Sequence, residues 1–164
     1  MTRPRQTRPA AERDQLLSWV ERVATFFAEH YGLPPITGRI LGWLMICEAP
    51  EQSAGEIAEA IGASRASLTT AMRFLTASGF VRRLTRPGGR TTYYCVDDDM
   101  WETVIRRRIA SMMSFSKITL DGMSLIGPET PRATRLRAAH DFFDWMTTRL
   151  TDAPGRRRTT RRAR

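Results

Sequence analysis

The chain is 164 residues long, 41% apolar and 26% charged, a balance that suits one folded domain with appended helices. Its longest central apolar run, Ile40–Cys47, spans eight residues, well short of the roughly 20 a bilayer requires, and no signal-type apolar stretch follows the Arg-rich start; a cytoplasmic protein without a membrane partner is expected. The net charge of +9 is carried by two tails (Arg3, Arg5 and Arg8; Arg156, Arg157, Arg158, Arg161, Arg162 and Arg164) and by residues 53–96, where six arginines face two glutamates, a distribution that favours a polyanionic partner.

Residues 1–10 have no apolar period and read as a disordered basic arm. Residues 11–35 read as a helix for dimerisation: Leu16, Trp19, Val23, Phe26 and His30 recur at heptad a/d spacing, with Leu17, Val20, Ala24 and Phe27 widening the stripe. "YGLPP" ends it, and a second helix follows over about Ile36–Cys47. Gly38 and Gly42 lie four apart on one face of that helix, where missing side chains let another helix approach closely. "EAPEQS" closes the segment.

"SAGEIAEAIGASRASLTTAMRFLTASGF" carries the most information. Ser53 with Glu56 three residues on makes a capping box, Gly62 breaks the short helix, and Ser64 caps the next one, which Gly79 ends. Two short helices joined by a tight glycine-containing turn make a helix-turn-helix. Strands at Phe80–Thr85 and Thr91–Val96 then flank "RPGGR". A long helix over about Met100–Leu125 is expected to turn Trp101, Ile105, Ile109 and Met112 inward; "GPETP" breaks it, and a last helix at about 131–151 shows Leu136, Ala139, Phe143, Met146 and Leu150 at a/d spacing. The expected architecture is therefore mainly α with a small β-wing: a winged helix-turn-helix DNA-binding domain at 36–97, C-terminal dimerisation helices at 98–151, and a disordered Arg-rich tail at 152–164.

A helix that enters the major groove needs one side for the core and another for base edges. At about 100° per residue, the buried side of the second helix centres on Leu68, Ala71, Met72 and Leu75. The opposite side carries Ala66, Thr69, Thr70 and Arg73, with Ser64, Arg65 and Ser67 flanking near the N-terminus, and the helix has no acidic residue. In the ribbon, Arg86 and Arg90 frame the turn, Gly88 and Gly89 give its tip a permissive backbone, and Arg82 and Arg83 extend the positive strip. A ribbon whose charges merely keep a strand edge soluble would account for the wing but not for the acid-free helix before it.

These motifs carry a resemblance. Residues 38–96, with "GRILGWL", S-x-x-E-[IL]-A, the G-x-S-x-x-S turn, R-x-L-x-x-x-G-[FL]-V and the glycine-bearing wing, resemble the GbsR-type branch of the MarR-like winged-helix transcriptional regulators. The resemblance implies a dimeric repressor or activator paired through its N- and C-terminal helices, with a recognition helix at about Ser64–Ser78 and a wing at about Phe80–Val96. Ala66 stands where many such proteins have glycine, and the Arg tails are outside the family pattern.

The stripes on the first and last helices predict a two-fold homodimer through Leu16, Trp19, Val23, Phe26, Leu136, Phe143, Met146 and Leu150, unless they fold back on their own domain. Two recognition helices about 34 Å apart would then call for a palindromic operator on double-stranded DNA. Trp43, Trp101, Met112 and Phe115, with Met113 and Met123, could line an apolar pocket for a small-molecule effector, which by the resemblance would be a quaternary ammonium compound; ordinary core packing is the alternative.

An enzyme is not expected, for want of a phosphate-binding glycine loop or a nucleophile–base pair. "DDD" at 97–99 reads as the cap of the following helix. Cys47 and Cys95 read as packing residues, and His30 and His140 lack partners at metal-ligand spacing, so no metal or cofactor is expected. The remaining alternatives are an RNA- or protein-binding winged helix and a sequence-independent DNA binder driven by the Arg tails.

Overall fold

The computed structural model describes residues 7–151, with side chains from residue 11 onward. The tail at 152–164 and residues 1–6 of the basic arm lie outside the described residues. The chain divides into two compact units, Met1–Val104 and Ile105–Arg164.

The first unit holds α1 (Thr7–Tyr31), α2 (Pro35–Ile46), β1 (Gln52–Ser53), α3 (Ala54–Ile61), α4 (Arg65–Ser78), β2 (Arg82–Thr85), β3 (Thr92–Cys95) and the first turn of α5 (Met100–Ile126). α1 begins at Thr7, four residues ahead of the expected start. Pro9 does not prevent this, because the first N–H groups of a helix have no partner within it and proline lacks only that donor.

α1 buries Val20, Ala24 and Phe27, the residues that widen the heptad stripe, while Leu16 and Phe26 of the stripe itself stay exposed. The glycines of α2 decide this. A Cβ at Gly38 would lie 2.5 Å from the Ala24 Cα, and one at Gly42 would lie 3.2 Å from the Val23 Cβ. α1 therefore rests its Ala24 side directly on the α2 backbone. Pro35 in the first turn of α2 leaves no donor wanting.

The core of this unit gathers Ile40 and Leu41 from α2, Ile57 from α3 and Leu68 and Leu75 from α4, all at most 1% exposed. Burying each such side chain contributes on the order of 1.5–3 kcal/mol. The capping box forms as expected: the Glu56 N–H donates to Ser53 Oγ at 3.3 Å and the Ser53 N–H donates to Glu56 Oε2 at 2.7 Å. The Ser53 backbone donor holds the Glu56 carboxyl below the usual carboxylate range. Gly62 closes α3 in the left-handed region, and Ser64 Oγ accepts from the Ser67 N–H to open α4.

The sheet has three antiparallel strands in the order β1-β3-β2. β1, two residues within the segment expected only to close α2, pairs Gln52 with Tyr94 and Ser53 with Tyr93. On the other side of β3, Arg82 faces Cys95 and Arg83 faces Tyr94.

The second unit holds the rest of α5, a 3-10 turn (Pro131–Ala133) and α6 (Thr134–Thr151). The two helices meet where Leu136 lies against Gly122, where Phe115 meets Phe143 edge-on at 5.0 Å, and where Ser116 Oγ hydrogen-bonds His140 Nδ1 at 3.0 Å. Its buried positions are largely small or polar: Ser116, Thr119, Ala133 and Thr147 beside Met123. Thr119 and Thr147 satisfy their hydroxyls on backbone carbonyls of their own helices, at 2.6 and 2.7 Å.

The expected inward face of α5 needs correction. Trp101 and Ile105 are about half exposed, and Ile109 and Met112 are partly buried. Large apolar side chains of the second unit point to solvent instead, with Ile118 62%, Leu125 86%, Phe142 50% and Trp145 55% exposed.

Candidate nucleic-acid interface

α4 has two chemically distinct sides. Leu68, Ala71, Met72 and Leu75 are buried, whereas Ser64, Arg65, Ala66, Ser67, Thr69, Thr70 and Arg73 are all exposed. The Ser64 and Ser67 hydroxyls are engaged in the cap, and Thr69 Oγ1 donates to the Arg65 carbonyl at 3.2 Å. The buried side fixes how the helix is rotated and so determines which residues are presented outward.

The wing tip is a β-turn. The Gly89 N–H donates to the Arg86 carbonyl at 3.0 Å, Pro87 takes the second place and Gly88, at φ 74°, the third. Proline followed by a positive-φ glycine is the type II arrangement, which brings Arg86 and Arg90 to the two ends of the tip.

The six arginines of residues 53–96 fall into two groups. Arg82 donates through Nε and Nη2 to both carboxylate oxygens of Asp97, at 2.7 Å each, and Arg86 pairs with Glu51 at 3.2 Å while lying 4.6 Å from the Tyr93 ring centroid. Arg65, Arg73, Arg83 and Arg90 have no ion pair among the described residues. Among the described residues Arg83 reaches the Thr92 hydroxyl alone, at 3.4 Å.

Two residues of the expected positive strip, Arg82 and Arg86, thus each have a carboxylate partner within the chain. Arg82 braces the wing to the turn ahead of α5. Its hydrogen bonds hold the Asp97 carboxyl below the usual range and raise its own value further. With both side chains well exposed, such a pair contributes on the order of 0.2–1 kcal/mol, present at neutral pH and lost as acid protonates Asp97. The sequence reading missed Glu51, Tyr93 and the pairing role of Asp97, because nothing local links residues 35 and 15 positions apart.

Trp43 and Trp101, expected at an effector pocket, belong to the first unit but have different partners. Trp43 is partly buried and donates to Gln52 Oε1 at 2.7 Å; Trp101 meets Phe80 edge-on at 5.8 Å. Met112 and Phe115 belong to the second unit, where Phe115 packs on Phe143. Of the residues expected at a dimer contact, Trp19 and Val23 are partly buried and Leu16 and Phe26 exposed. On α6, Leu136 and Phe143 pack against their own α5, Met146 is partly buried and Leu150 is exposed. Burial raises the thiols of both Cys47 and Cys95. Among the described residues no three His, Cys, Asp or Glu are grouped to hold a metal ion, and no helix is long and apolar enough to cross a membrane.

A helix-turn-helix with one acid-free exposed side, followed at once by a basic two-stranded ribbon, defines a winged-helix transcriptional regulator of the DNA-binding class. The chain is 34% identical over 142 residues to the HTH-type transcriptional regulator MmpR5 of Mycobacterium tuberculosis, covering 86% of each chain. It is also similar to a transcriptional regulator of known crystal structure, at 32% identity and a TM-score of 0.76, over 85% of this chain and 95% of that one. The family model for MmpR5-like MarR family transcriptional regulators matches residues 99–156. The chain belongs to this MmpR5-like MarR family. The resemblance read from residues 38–96 thus holds at the level of the MarR family; the GbsR-type branch within it is not shown.

Proposed function

We propose that the protein is a sequence-specific regulator that binds a palindromic operator in double-stranded DNA as a homodimer, with α4 in the major groove and the wing on flanking backbone or minor groove. One observation carries this reading. The outward side of α4 has no carboxylate and its two arginines, Arg65 and Arg73, have no ion pair among the described residues, while the opposite side is sealed into the core. A surface of hydroxyls, a methyl and unneutralised guanidiniums matches base edges and phosphates. Relatives that are transcriptional regulators rather than enzymes agree with a non-catalytic role.

Pairing is proposed from the apolar side chains of the second unit. Ile118, Leu125, Phe142 and Trp145 are each at least half exposed, and clustered apolar exposure of this kind marks an interaction surface. The partner is a second copy of the chain, joined by a two-fold axis that would also set the spacing of the half-sites. The finer GbsR-type likeness adds an effector response, tested by whether a quaternary ammonium compound raises the melting temperature and releases DNA. Residence on DNA would place the protein in the cytoplasm with the nucleoid.

Genomic footprinting of bound sites tests the reading, since it returns targets and half-site spacing together. Two substitutions refine it. Arg73→Ala is expected to weaken the selected operator about tenfold or more while leaving random duplex nearly unchanged, measured by titration on both; equal losses on the two would remove its base-reading role. Arg90→Ala is expected to lower affinity for every sequence and to flatten the log–log salt slope by about 1. An unchanged slope would mean that the wing tip touches no phosphate. The rival reading, binding of any polyanion through the Arg tails, predicts that competitor DNA or deletion of residues 152–164 abolishes binding.

A further inference from the structure

A groove runs between α4 and the wing strands. Arg65, Thr69 and Arg73 line one wall, Arg83 and Tyr94 the other, with Leu68 in the floor, and among the described residues no carboxylate lines it. Both walls follow from regular geometry. Positions 65, 69 and 73 recur every fourth residue and so share one side of the helix. Arg83 and Tyr94 are direct cross-strand partners, which puts both side chains on the same face of the sheet.

Three guanidiniums in one concavity repel one another unless an anion joins them. Elsewhere in the wing the protein supplies that anion itself, as Asp97 for Arg82 and Glu51 for Arg86. In the groove none of the described residues supplies one. The Arg65 guanidinium lies along the start of α3, its Nη2 3.4 Å from where a side chain on Gly55 would begin. The Tyr94 hydroxyl has no hydrogen-bond partner among the described residues. Two guanidinium forks from different elements and a hydroxyl donor, in a recess bordered by a sheet, suit a compact tetrahedral oxyanion better than a flat base edge.

From this arrangement we infer that the groove seats one DNA backbone phosphate per subunit, held by Arg65 and Arg83 with the Tyr94 hydroxyl, and that this seat fixes the depth and register of α4 in the major groove. The inference rests on the DNA-binding reading above. Arg73 shares the groove but is assigned there to bases, and the two roles separate by experiment. Neither Arg83 nor Tyr94 carries sequence information in this scheme; they position the helix that does.

The test uses the full-length protein, the tightest duplex recovered by selection from a random library, and a random-sequence duplex. Arg83→Ala is expected to raise Kd about tenfold on both duplexes and to flatten the salt slope by about 1. Arg83→Lys should keep the wild-type slope, and Tyr94→Phe should weaken both duplexes without changing it. A scan with single methylphosphonate links, each removing one backbone charge, should find one position per half-site where wild type is weakened and Arg83→Ala is not. The seat is overturned by an unchanged slope in Arg83→Ala, by a loss confined to the selected duplex, or by methylphosphonate effects of equal size in both proteins. Wild type that binds no duplex would overturn the DNA-binding reading as well; wild type that binds normally beside an indifferent Arg83→Ala would overturn the seat alone.

Discussion

Gly38→Ala is expected to lower the melting temperature by about 10 °C. The new Cβ would stand 2.5 Å from the Ala24 Cα, a backbone atom in mid-helix that has no rotamer to escape into. α1 and α2 must then separate, and the core residues Ile40 and Leu41 on α2 move with them. Forced overpacking of this kind costs about 3 kcal/mol, and a chain of this size loses roughly 2–4 °C per kcal/mol. Gly42→Ala is a built-in comparison. Its nearest neighbour is a side-chain carbon of Val23 at 3.2 Å, which can shift by a few tenths of an ångström. Thermal unfolding of both variants checks the pair; a Gly38→Ala melt within about 2 °C of wild type would show that the two helices do not meet backbone to backbone.

The second large effect is expected on assembly. Trp145→Glu should convert the proposed dimer to monomer and lower operator affinity about 10²–10⁴-fold, the factor by which joining two weak contacts raises the effective strength of the second. Trp145 is 55% exposed and stands next to Phe142 at 6.4 Å between ring centroids. A carboxylate there stays hydrated in the single chain, so folding of the chain itself should change little. In a closed apolar contact between copies the same carboxylate would be stripped of water without a partner. Sedimentation gives the mass and a duplex titration gives the affinity. A Trp145→Glu protein that keeps the wild-type mass would remove this face from the contact.

What could be read from the residues themselves differs by element. The two helices of the helix-turn-helix were legible because their ends are set by local chemistry. Ser53, Glu56, Gly62 and Ser64 act on neighbours within four positions, and the apolar side of α4 is sealed as its spacing predicts. α1 was legible as a helix but not in its orientation. Its stripe is broad enough to offer two apolar sides, and the choice of Val20, Ala24 and Phe27 was made by the bare backbone of α2 at Gly38. β1 could not be found locally, since two residues become a strand only by pairing with Tyr93 and Tyr94. The charge pattern showed that the wing is basic, but not that Arg82 and Arg86 are already neutralised, because their carboxylates arrive from elsewhere in the chain.

The hairpin of α5 and α6 buries the hydroxyls of Ser116, Thr119 and Thr147 and leaves Phe142 and Trp145 half exposed, so closing on itself withdraws little oil from water. Joined to a mate, such a chain would owe part of its endurance to the encounter, and solitary molecules would open sooner. Proteases would then thin out the unmated copies first, and scarcity would shorten the lifetime of each survivor. The number of molecules in the cell would become a term in how long any one of them lasts.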